Sequence, residues 1–252
     1  MLTFASLKIP LLAGNFINMI NFKRSVNCGG CSECNNKSPL FNLLTSEELD
    51  IVNKDRFEVT YKSGEMIFKQ GTASTHILML TSGLVKIYLE GYNGKNLLLK
   101  VIKPPRIFGA LGIYFDNRNY YTATALENST VCFVSVDNFK QCVRTNPDFA
   151  EKFIEHLNRN SVYAFGRFVD LTQKQMPGRV ADALLYLSNE IYESNPFKIT
   201  LSRQDLADMT SLSKESFIRI LKEFKEENII KMNGDFIEIS KMDALKKISQ
   251  VG

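Results

Sequence analysis

The sequence predicts an α+β fold, because three different patterns follow one another along its 252 residues. Residues 57–136 contain short β-rich runs separated by glycines, which is typical of an all-β roll. From residue 147 apolar residues recur at helical spacing, and two shorter helical patterns and a hairpin pattern come later. We therefore expect an N-terminal β-roll, one long helix and a C-terminal winged helix-turn-helix.

Composition argues against a secreted protein and against a membrane protein. Three of the five cysteines fall within residues 28–34, which is unlike a secreted disulfide framework in a chain of this length. The apolar N-terminus is interrupted by Lys8 and Pro10, so it is too short and too broken to span a bilayer. We expect a protein of the reducing cytoplasm that does not bind membranes.

The overall charge does not by itself indicate a nucleic-acid partner. The formal net charge is +4, and residues 174–252 contain 12 Lys and Arg residues and 12 Asp and Glu residues. Only the local placement of charged side chains can therefore indicate DNA binding.

A polar loop at residues 27–38, within an N-terminal extension of residues 1–40, places Cys28, Cys31 and Cys34 at C-x2-C-x2-C spacing. Two residues between thiols allow both to reach one metal centre from a tight turn. A fourth ligand would come from another cysteine, a histidine or a carboxylate elsewhere in the chain. Three interpretations stay open: an iron–sulfur cluster, a zinc site, or cysteines that bind no metal.

The predicted β-roll covers residues 41–146 and begins with a short helix that Thr45 or Ser46 caps. Asn93-Gly94 is a typical hairpin turn, and Pro104-Pro105 ends a strand. The predicted strands have the sequences FEVTY, EMIFK, HILMLT, LVKIYLE, LLLKVI, YTATAL and TVCFVSV.

A long helix is predicted over residues 147–176, because Pro147 suits a first helical turn and Met176-Pro177-Gly178 breaks the pattern. Alternating steps of four and three residues form a heptad seam, which favours pairing with a second copy; the alternative is a core helix of a monomer. The seam consists of Phe153, Leu157, Asn160, Ala164, Arg167 and Leu171. The large side chains that we expect to pack against the β-roll instead are Phe149, Tyr163, Phe165 and Phe168.

Residues 177–252 are predicted to form the winged helix-turn-helix domain. Ser202 and Asp205 have the spacing of a capping box for a first helix, and Ser213 caps a second helix. The hairpin around Asn233-Gly234 follows at the place of a wing, whereas the alternative is a small helical bundle. The second helix would bury Phe217, Ile220, Leu221 and Phe224, and it would expose Lys214, Glu215, Ser216, Arg219 and Lys222. Such a short polar face can lie in the major groove of double-stranded DNA, where Arg and Lys donate to guanine and Glu accepts from cytosine.

This order of domains resembles that of the CRP/FNR family of transcription regulators over residues 43–248. The stretches that carry the resemblance are YKSGEMIFKQG, TSGLVKIY and LSRQDLADMTSLSKESFIRILKEF. It implies a cyclic-nucleotide-binding-like jelly roll, a dimerisation helix, a homodimer, and RNA polymerase as a partner. Catalysis is not expected, since the chain has two histidines and no Ser/His/Asp set, phosphate loop or HExxH motif.

The resemblance also implies which side chains contact DNA. Glu215 and Arg219 would recognise the TGA core of each half-site of a palindrome, and Lys214 could add a preference for one further guanine. The remaining implied contacts are those of Ser213 and Ser216 with the backbone or bases, and of Arg203 with a phosphate.

FNR-type members of the family bind a [4Fe–4S] cluster through three N-terminal cysteines and one in the β-roll. By this resemblance Cys28, Cys31, Cys34 and Cys132 are the ligands, and the protein senses oxygen or redox state. The loop departs from the FNR pattern, because its third cysteine follows the second after only two residues. The alternative is a regulator whose β-roll binds a small-molecule effector or haem, with cysteines that hold no cluster.

Cyclic AMP is not expected to bind. Cyclic-nucleotide members of the family hold the ribose with a Glu and the phosphate with an Arg-Ser or Arg-Thr pair. This chain has Ala110 in place of the Glu and Asn119-Tyr120 in place of the pair, so it lacks both groups. Arg118 could restore the guanidinium only if the alignment shifted by one residue.

Overall fold

The structure is a computed structural model that describes residues 30–251 of the chain. Most of the predicted N-terminal extension, including Cys28, lies outside the described residues. None of the helices within residues 30–251 is long and apolar enough to cross a membrane.

The predicted β-roll is confirmed as two four-stranded antiparallel sheets. One has the order β1-β8-β3-β6 and the other β2-β7-β4-β5. The apolar side chains that alternate inward from both sheets share one core, which includes Leu80, Ile87 and Val131. The strands are β1 Phe57–Tyr61, β2 Met66–Phe68, β3 His76–Ser82, β4 Val85–Glu90, β5 Asn96–Ile102, β6 Arg106–Phe108, β7 Thr122–Ala125 and β8 Ser129–Ser135.

Turn chemistry in the roll follows the sequence closely. Asn93 and Gly94 both adopt positive φ in the tight connection between β4 and β5, which is the conformation that an Asn-Gly turn favours. The short strand β6 was not predicted, because it has three residues and directly follows Pro104-Pro105.

Three helices cover one side of the roll. Thr45 caps α1 (Ser46–Asn53) through a capping box with Glu48. The other two are α2 (Val136–Thr145) and the 27-residue α3 (Pro147–Gln173), which Asn146 caps by accepting from the backbone N–H of Phe149 at 2.9 Å. The rings of Phe139, Phe149 and Phe153 from α2 and α3, and of Phe41 from a 3-10 helix at Pro39–Leu43, pack edge to face.

The predicted faces of α3 are wrong in part. Phe153, assigned to the dimer seam, is buried in the core between the roll and the helices that cover it. Phe165 and Phe168, which were expected to pack against the roll, are 71% and 68% exposed. Asn160 and Arg167, the polar seam residues, instead contact the roll and the C-terminal domain. A repeat of four and three residues can be drawn along more than one face of this helix, because apolar residues also occupy positions next to those of the predicted seam. The exposed apolar stripe consists of Ile154, Val162, Phe165, Phe168 and Val169.

The long helix ends at Gln173, close to the break predicted at Met176-Pro177-Gly178. Met176 and Pro177 form the first turn of the next helix, α4 (Met176–Tyr186), because proline fits a helical first turn. The remaining elements are a π turn at Leu187–Ile191, β9 (Phe197–Lys198), α5 (Arg203–Thr210), α6 (Lys214–Glu226), β10 (Ile230–Asn233), β11 (Phe236–Ile239) and α7 (Met242–Val251). The wing is confirmed as the β10–β11 hairpin, to which β9 adds an unpredicted third strand.

Candidate nucleic-acid interface and sensor sites

The helix-turn-helix owes its geometry to side-chain caps at both of its helices. Ser202 and Asp205 form the predicted capping box at α5, and Ser213 Oγ accepts from the backbone N–H of Ser216 at 3.1 Å to start α6. Ser211 in the turn is left-handed, with φ 53°. The predicted inner face of α6 is confirmed, since all of its members are buried: Phe217, Ile220, Leu221 and Phe224.

The outer face of α6 holds most of the predicted DNA-contacting residues. Lys214, Glu215 and Arg219 are exposed, and Ser216 is half-buried beside its cap. Glu215 and Arg219 are four residues apart, so they project from the same side of the helix. Arg219 pairs at 2.8 Å with Glu223 one turn further on, which holds its guanidinium along the helix surface. Arg203 is half-buried and is the first residue of α5.

One residue on this face was missing from the sequence prediction. Ile218 is 43% exposed and lies one turn after Glu215, on the side of it away from Arg219. An exposed branched apolar side chain at such a place can contact the methyl group of thymine. Helical periodicity could have predicted this exposure, because Ile218 directly follows the buried Phe217 and so lies about 100° around the helix from the core.

Two of the predicted cysteine ligands come together from distant parts of the chain. Cys31 and Cys132 are both buried, belong to the same core cluster and influence each other electrostatically. Cys34 is half-buried in the same loop as Cys31. Because Cys28 is outside the described part of the chain, the predicted set is incomplete there, and residues 30–251 contain no group of three His, Cys, Asp or Glu side chains suited to a metal ion. Cys142 is buried, and its thiol donates to the Glu48 carbonyl, as expected of a structural thiol.

A guanidinium accompanies the buried cysteines. Arg56 Nη1 donates to Cys132 Sγ at 3.5 Å and to Glu58 at 3.3 Å. Burial raises the pKa of the Cys132 thiol to about 12, and the hydrogen bond from Arg56 opposes this shift. Burial alone would lower the pKa of Arg56, but the bond to Cys132 raises it overall. No sequence signal pointed to Arg56, because it is 76 residues from Cys132.

A cavity of about 380 Å³ lies between the roll and α3. Apolar side chains form most of its wall, and those from β4 and β5 include Ile87, Leu89 and Leu97. At one end Lys100 Nζ donates to Asn160 Oδ1 at 2.7 Å, and Asn160 Nδ2 is 3.0 Å from His156 Nε2. No sequence pattern indicates this polar group, since its members come from two separate elements.

Burial shifts both basic members of this group towards their neutral forms. It lowers the pKa of Lys100 to about 8, and nearby Arg106 adds to the shift. It lowers the pKa of His156 to about 4, with further lowering by Arg106 and Lys100. At neutral pH the histidine is therefore uncharged and the lysine is mostly protonated.

The side chains at Arg118, Asn119 and Tyr120, which were compared above with a cyclic-phosphate site, have other contacts here. Asn119 is buried and donates to Thr72 Oγ1 at 3.1 Å, and the Tyr120 hydroxyl donates to Asp116 at 3.0 Å. Arg118 donates to the Gly71 carbonyl at 2.9 Å. Ala110 lines the cavity with a methyl group and supplies no carboxylate.

Comparison with known proteins matches both domains to family models. The cyclic nucleotide-binding domain matches residues 58–146, and the Crp-like helix-turn-helix domain matches residues 178–248. A CRP-like cAMP-activated global transcriptional regulator of Mycobacterium tuberculosis is 23% identical over 84% of this chain and 96% of its own length. A cyclic AMP receptor protein of Thermus thermophilus is 24% identical over 84% of this chain and 97% of its own.

Solved structures have the same fold. FixK2 from Bradyrhizobium japonicum has a TM-score of 0.71 at 18% identity and covers 78% of this chain and 98% of its own. TTHA1359, a transcriptional regulator of the CRP/FNR family from Thermus thermophilus, has a TM-score of 0.65 at 20% identity and covers 77% of this chain and 98% of its own. The relatives matched along the chain are transcription regulators and not enzymes. With a cyclic nucleotide-binding domain, a long helix and a Crp-like helix-turn-helix domain in this order, the chain belongs to the CRP/FNR family of DNA-binding transcription regulators.

Proposed function

We propose that this regulator binds palindromic DNA sites with TGA-containing half-sites. The observation that carries the proposal is the pairing of Glu215 and Arg219 on the exposed face of α6. Arg219 can donate two hydrogen bonds to guanine, and Glu215 can accept from the cytosine N4 of a neighbouring pair. Selection of bound sites from random double-stranded DNA tests the proposal, and recovered sites without a TGA palindrome would overturn it.

The active form is a homodimer that acts with RNA polymerase in the cytoplasm. Support comes from the exposed apolar stripe on α3, which contains Val162, Phe165 and Phe168. Apolar side chains in a continuous stripe on a long helix favour pairing with a second helix. Two paired copies would place two recognition helices about one DNA turn apart, as a palindrome requires.

The signal that this regulator senses is oxygen or redox state, through a [4Fe–4S] cluster on Cys28, Cys31, Cys34 and Cys132. Burial of Cys31 and Cys132 in one cluster of side chains supports this donor set, and thiolates are the ligands that such clusters use. Arg56 supplies positive charge beside these sulfurs. A bound cluster would supply the redox change, and the cysteines would connect the N-terminal loop to β8 of the roll.

Anaerobic purification with iron and sulfide analysis tests the sensing proposal. Thiolate-bound iron absorbs visible light, whereas zinc does not. A colourless protein that contains stoichiometric zinc, or no metal, would overturn the cluster proposal and leave the DNA-binding proposal intact.

A second candidate is sensing of a small-molecule effector in the roll, and the cavity beneath α3 favours it. This cavity of about 380 Å³ is in the size range of ligand sites and is walled mostly by apolar side chains. Cyclic AMP is not the expected effector, because Ala110 and Asn119 cannot supply a carboxylate and a guanidinium. Micromolar binding of cyclic AMP in calorimetry would contradict that expectation.

A further inference from the structure

We propose that the cavity between the roll and α3 binds an amphipathic organic anion, with its carboxylate on Lys100 and its apolar part against β4 and β5. The inference rests on the proposed effector role of the roll, and it names the chemical class of the effector. It also places the anionic group away from Arg118 and Asn119, where the resemblance puts a cyclic phosphate.

The charge of the cavity wall is the first argument. Among the residues that line the cavity, the charged ones are Lys100 and Arg167, and both are basic. The imidazole of His156 lines the same space, and Arg106 is close enough to affect the pKa of His156. An apolar space with charge of one sign favours a ligand of the opposite sign.

The environment of Lys100 is the second argument. Within residues 30–251, no carboxylate oxygen lies within 4 Å of Lys100 Nζ, which contacts the neutral Asn160 amide and lies 5.7 Å from the centre of the Tyr163 ring. An ammonium has three donors, and the amide oxygen takes one of them. A buried cation without an anionic partner is unfavourable, so a bound carboxylate would supply both the missing charge and a hydrogen-bond acceptor.

Arg167, at another part of the wall, also has unused hydrogen-bonding capacity. Its Nη2 donates to the Met209 carbonyl of α5, but its buried Nε has no partner among the described atoms. An acceptor on a bound ligand could satisfy this donor, whereas a hydrocarbon could not. The apolar remainder of the wall, with Leu97, Ile107 and Leu157, would cover the chain or ring of the ligand.

Lys100 also occupies a place from which binding can reach the DNA-binding domain. Its neighbours in β5, Leu98 and Val101, belong to the hydrophobic core of the C-terminal domain. The Tyr186 hydroxyl of α4 donates to the Val101 carbonyl at 2.8 Å. A ligand that moves β5 would therefore change contacts on which the orientation of α4 depends.

Calorimetry on the full-length protein at pH 7 with three probes tests the inference: decanoate, uncharged decan-1-ol, and acetate, which has the charge without the chain. We expect decanoate to bind at least about tenfold more tightly than either other probe, because only decanoate combines a charge-assisted hydrogen bond with an apolar chain. Lys100→Met should remove that advantage and leave decan-1-ol binding unchanged, which also reports that the cavity is intact. Lys100→Arg should keep much of the preference for decanoate over decan-1-ol. Lys95→Met, on the exposed turn of the same hairpin, should leave the affinities of all probes unchanged.

Equal binding of decanoate and decan-1-ol, or unchanged decanoate affinity in Lys100→Met, would overturn the inference. Failure of every probe to bind would overturn it as well. The effector role is tested separately by measuring DNA affinity with saturating decanoate. Decanoate that binds through Lys100 without changing DNA affinity supports the anion site and contradicts the effector role.

Discussion

The ammonium of Lys86 in β4 forms an ion pair with Asp205, the acidic residue of the capping box at the start of α5. Both side chains are largely buried, with 20% and 14% of their surfaces exposed. The same carboxylate accepts from the backbone N–H and the hydroxyl of Ser202. One carboxylate thus starts the first helix of the DNA-binding domain and attaches that helix to the sensor domain.

Replacing Lys86 should destabilise the docked arrangement. Lys86→Met leaves a largely buried carboxylate with only the Ser202 donors, so we expect a loss of about 1–3 kcal/mol in the free energy of unfolding. Urea unfolding of the parent and the variant measures it. Lys69→Met is the matched control, because Lys69 and Glu90 in the same domain form a more exposed pair worth about 0–1 kcal/mol. Equal losses in both variants would contradict a specific role for the Lys86–Asp205 pair.

Assembly should depend on the exposed stripe of α3 and not on the seam that the sequence suggested. Phe165→Glu would place two carboxylates opposite each other at a helix pair, and we expect monomers in light scattering and weak binding to palindromic DNA. Phe165→Leu keeps an apolar side chain and should stay dimeric. A dimeric Phe165→Glu variant would move the interface to another surface.

Local signals in the sequence predicted most of the fold, because caps, turns and strands are decided within a few residues. The capping boxes at Thr45 and Ser202 and the turn at Asn93-Gly94 are examples. The orientation of α3 could not be predicted in the same way. Its apolar residues fit two adjacent faces, and only the packing of Phe153 against the roll selects between them.

In the candidate sites, too, local patterns predicted some residues, whereas tertiary packing alone brings the others together. The exposed face of α6 follows from helical periodicity, so Glu215 and Arg219 could be placed from the sequence. The contacts of Arg56 with Cys132, and of Lys100 with Asn160, join elements far apart in the chain. No periodicity connects such pairs, and they emerge only when the sheets and helices pack together.

Stability should depend on pH through His156. Its pKa is lowered by burial, and by Arg106 and Lys100, to about 4, so between pH 4 and 6.5 the unfolded chain binds more protons than the folded chain. Stability from this group is therefore complete above pH 6.5 and decreases by about 2–3 kcal/mol as the pH falls to 4. Unfolding free energies of the parent and His156→Gln over this range isolate the effect, because the carboxylates are common to both. Parallel curves would contradict the buried, neutral histidine.

The cluster proposal predicts different results for two buried cysteines of the roll. Cys132→Ser should abolish the visible absorbance of anaerobically purified protein, because Cys132 is the proposed ligand from β8. Cys142→Ser should leave the spectrum unchanged, since its thiol donates to the Glu48 carbonyl in the core. Iron and sulfide analysis of both variants measures the amount of bound cluster independently of DNA binding. Bleaching in Cys142→Ser, or full cluster content in Cys132→Ser, would show that the ligand assignment is wrong.

Replacing Arg219 and replacing Arg203 should affect DNA binding in different ways. Arg219 is exposed on α6 beside Glu215, so Arg219→Ala should cost about 1–3 kcal/mol of binding free energy and relax the preference for its guanine. Arg203 starts α5 and is proposed to contact a phosphate, so Arg203→Ala should weaken binding to all sequences alike and reduce its salt dependence. Lys222→Ala, on the last part of α6, is a control for loss of one exposed positive charge from that helix.

Selection from random DNA, followed by affinities for the recovered site and for single-base variants of it, distinguishes these outcomes. Lys214 can donate to a guanine before the TGA core but lacks the flat fork of an arginine, so its replacement by Ala should change the preference there only weakly. Arg219→Ala that binds as tightly and as selectively as the parent would contradict the proposed recognition of TGA. An Arg203→Ala variant with altered base preference would show that α5, and not α6 alone, contacts base edges.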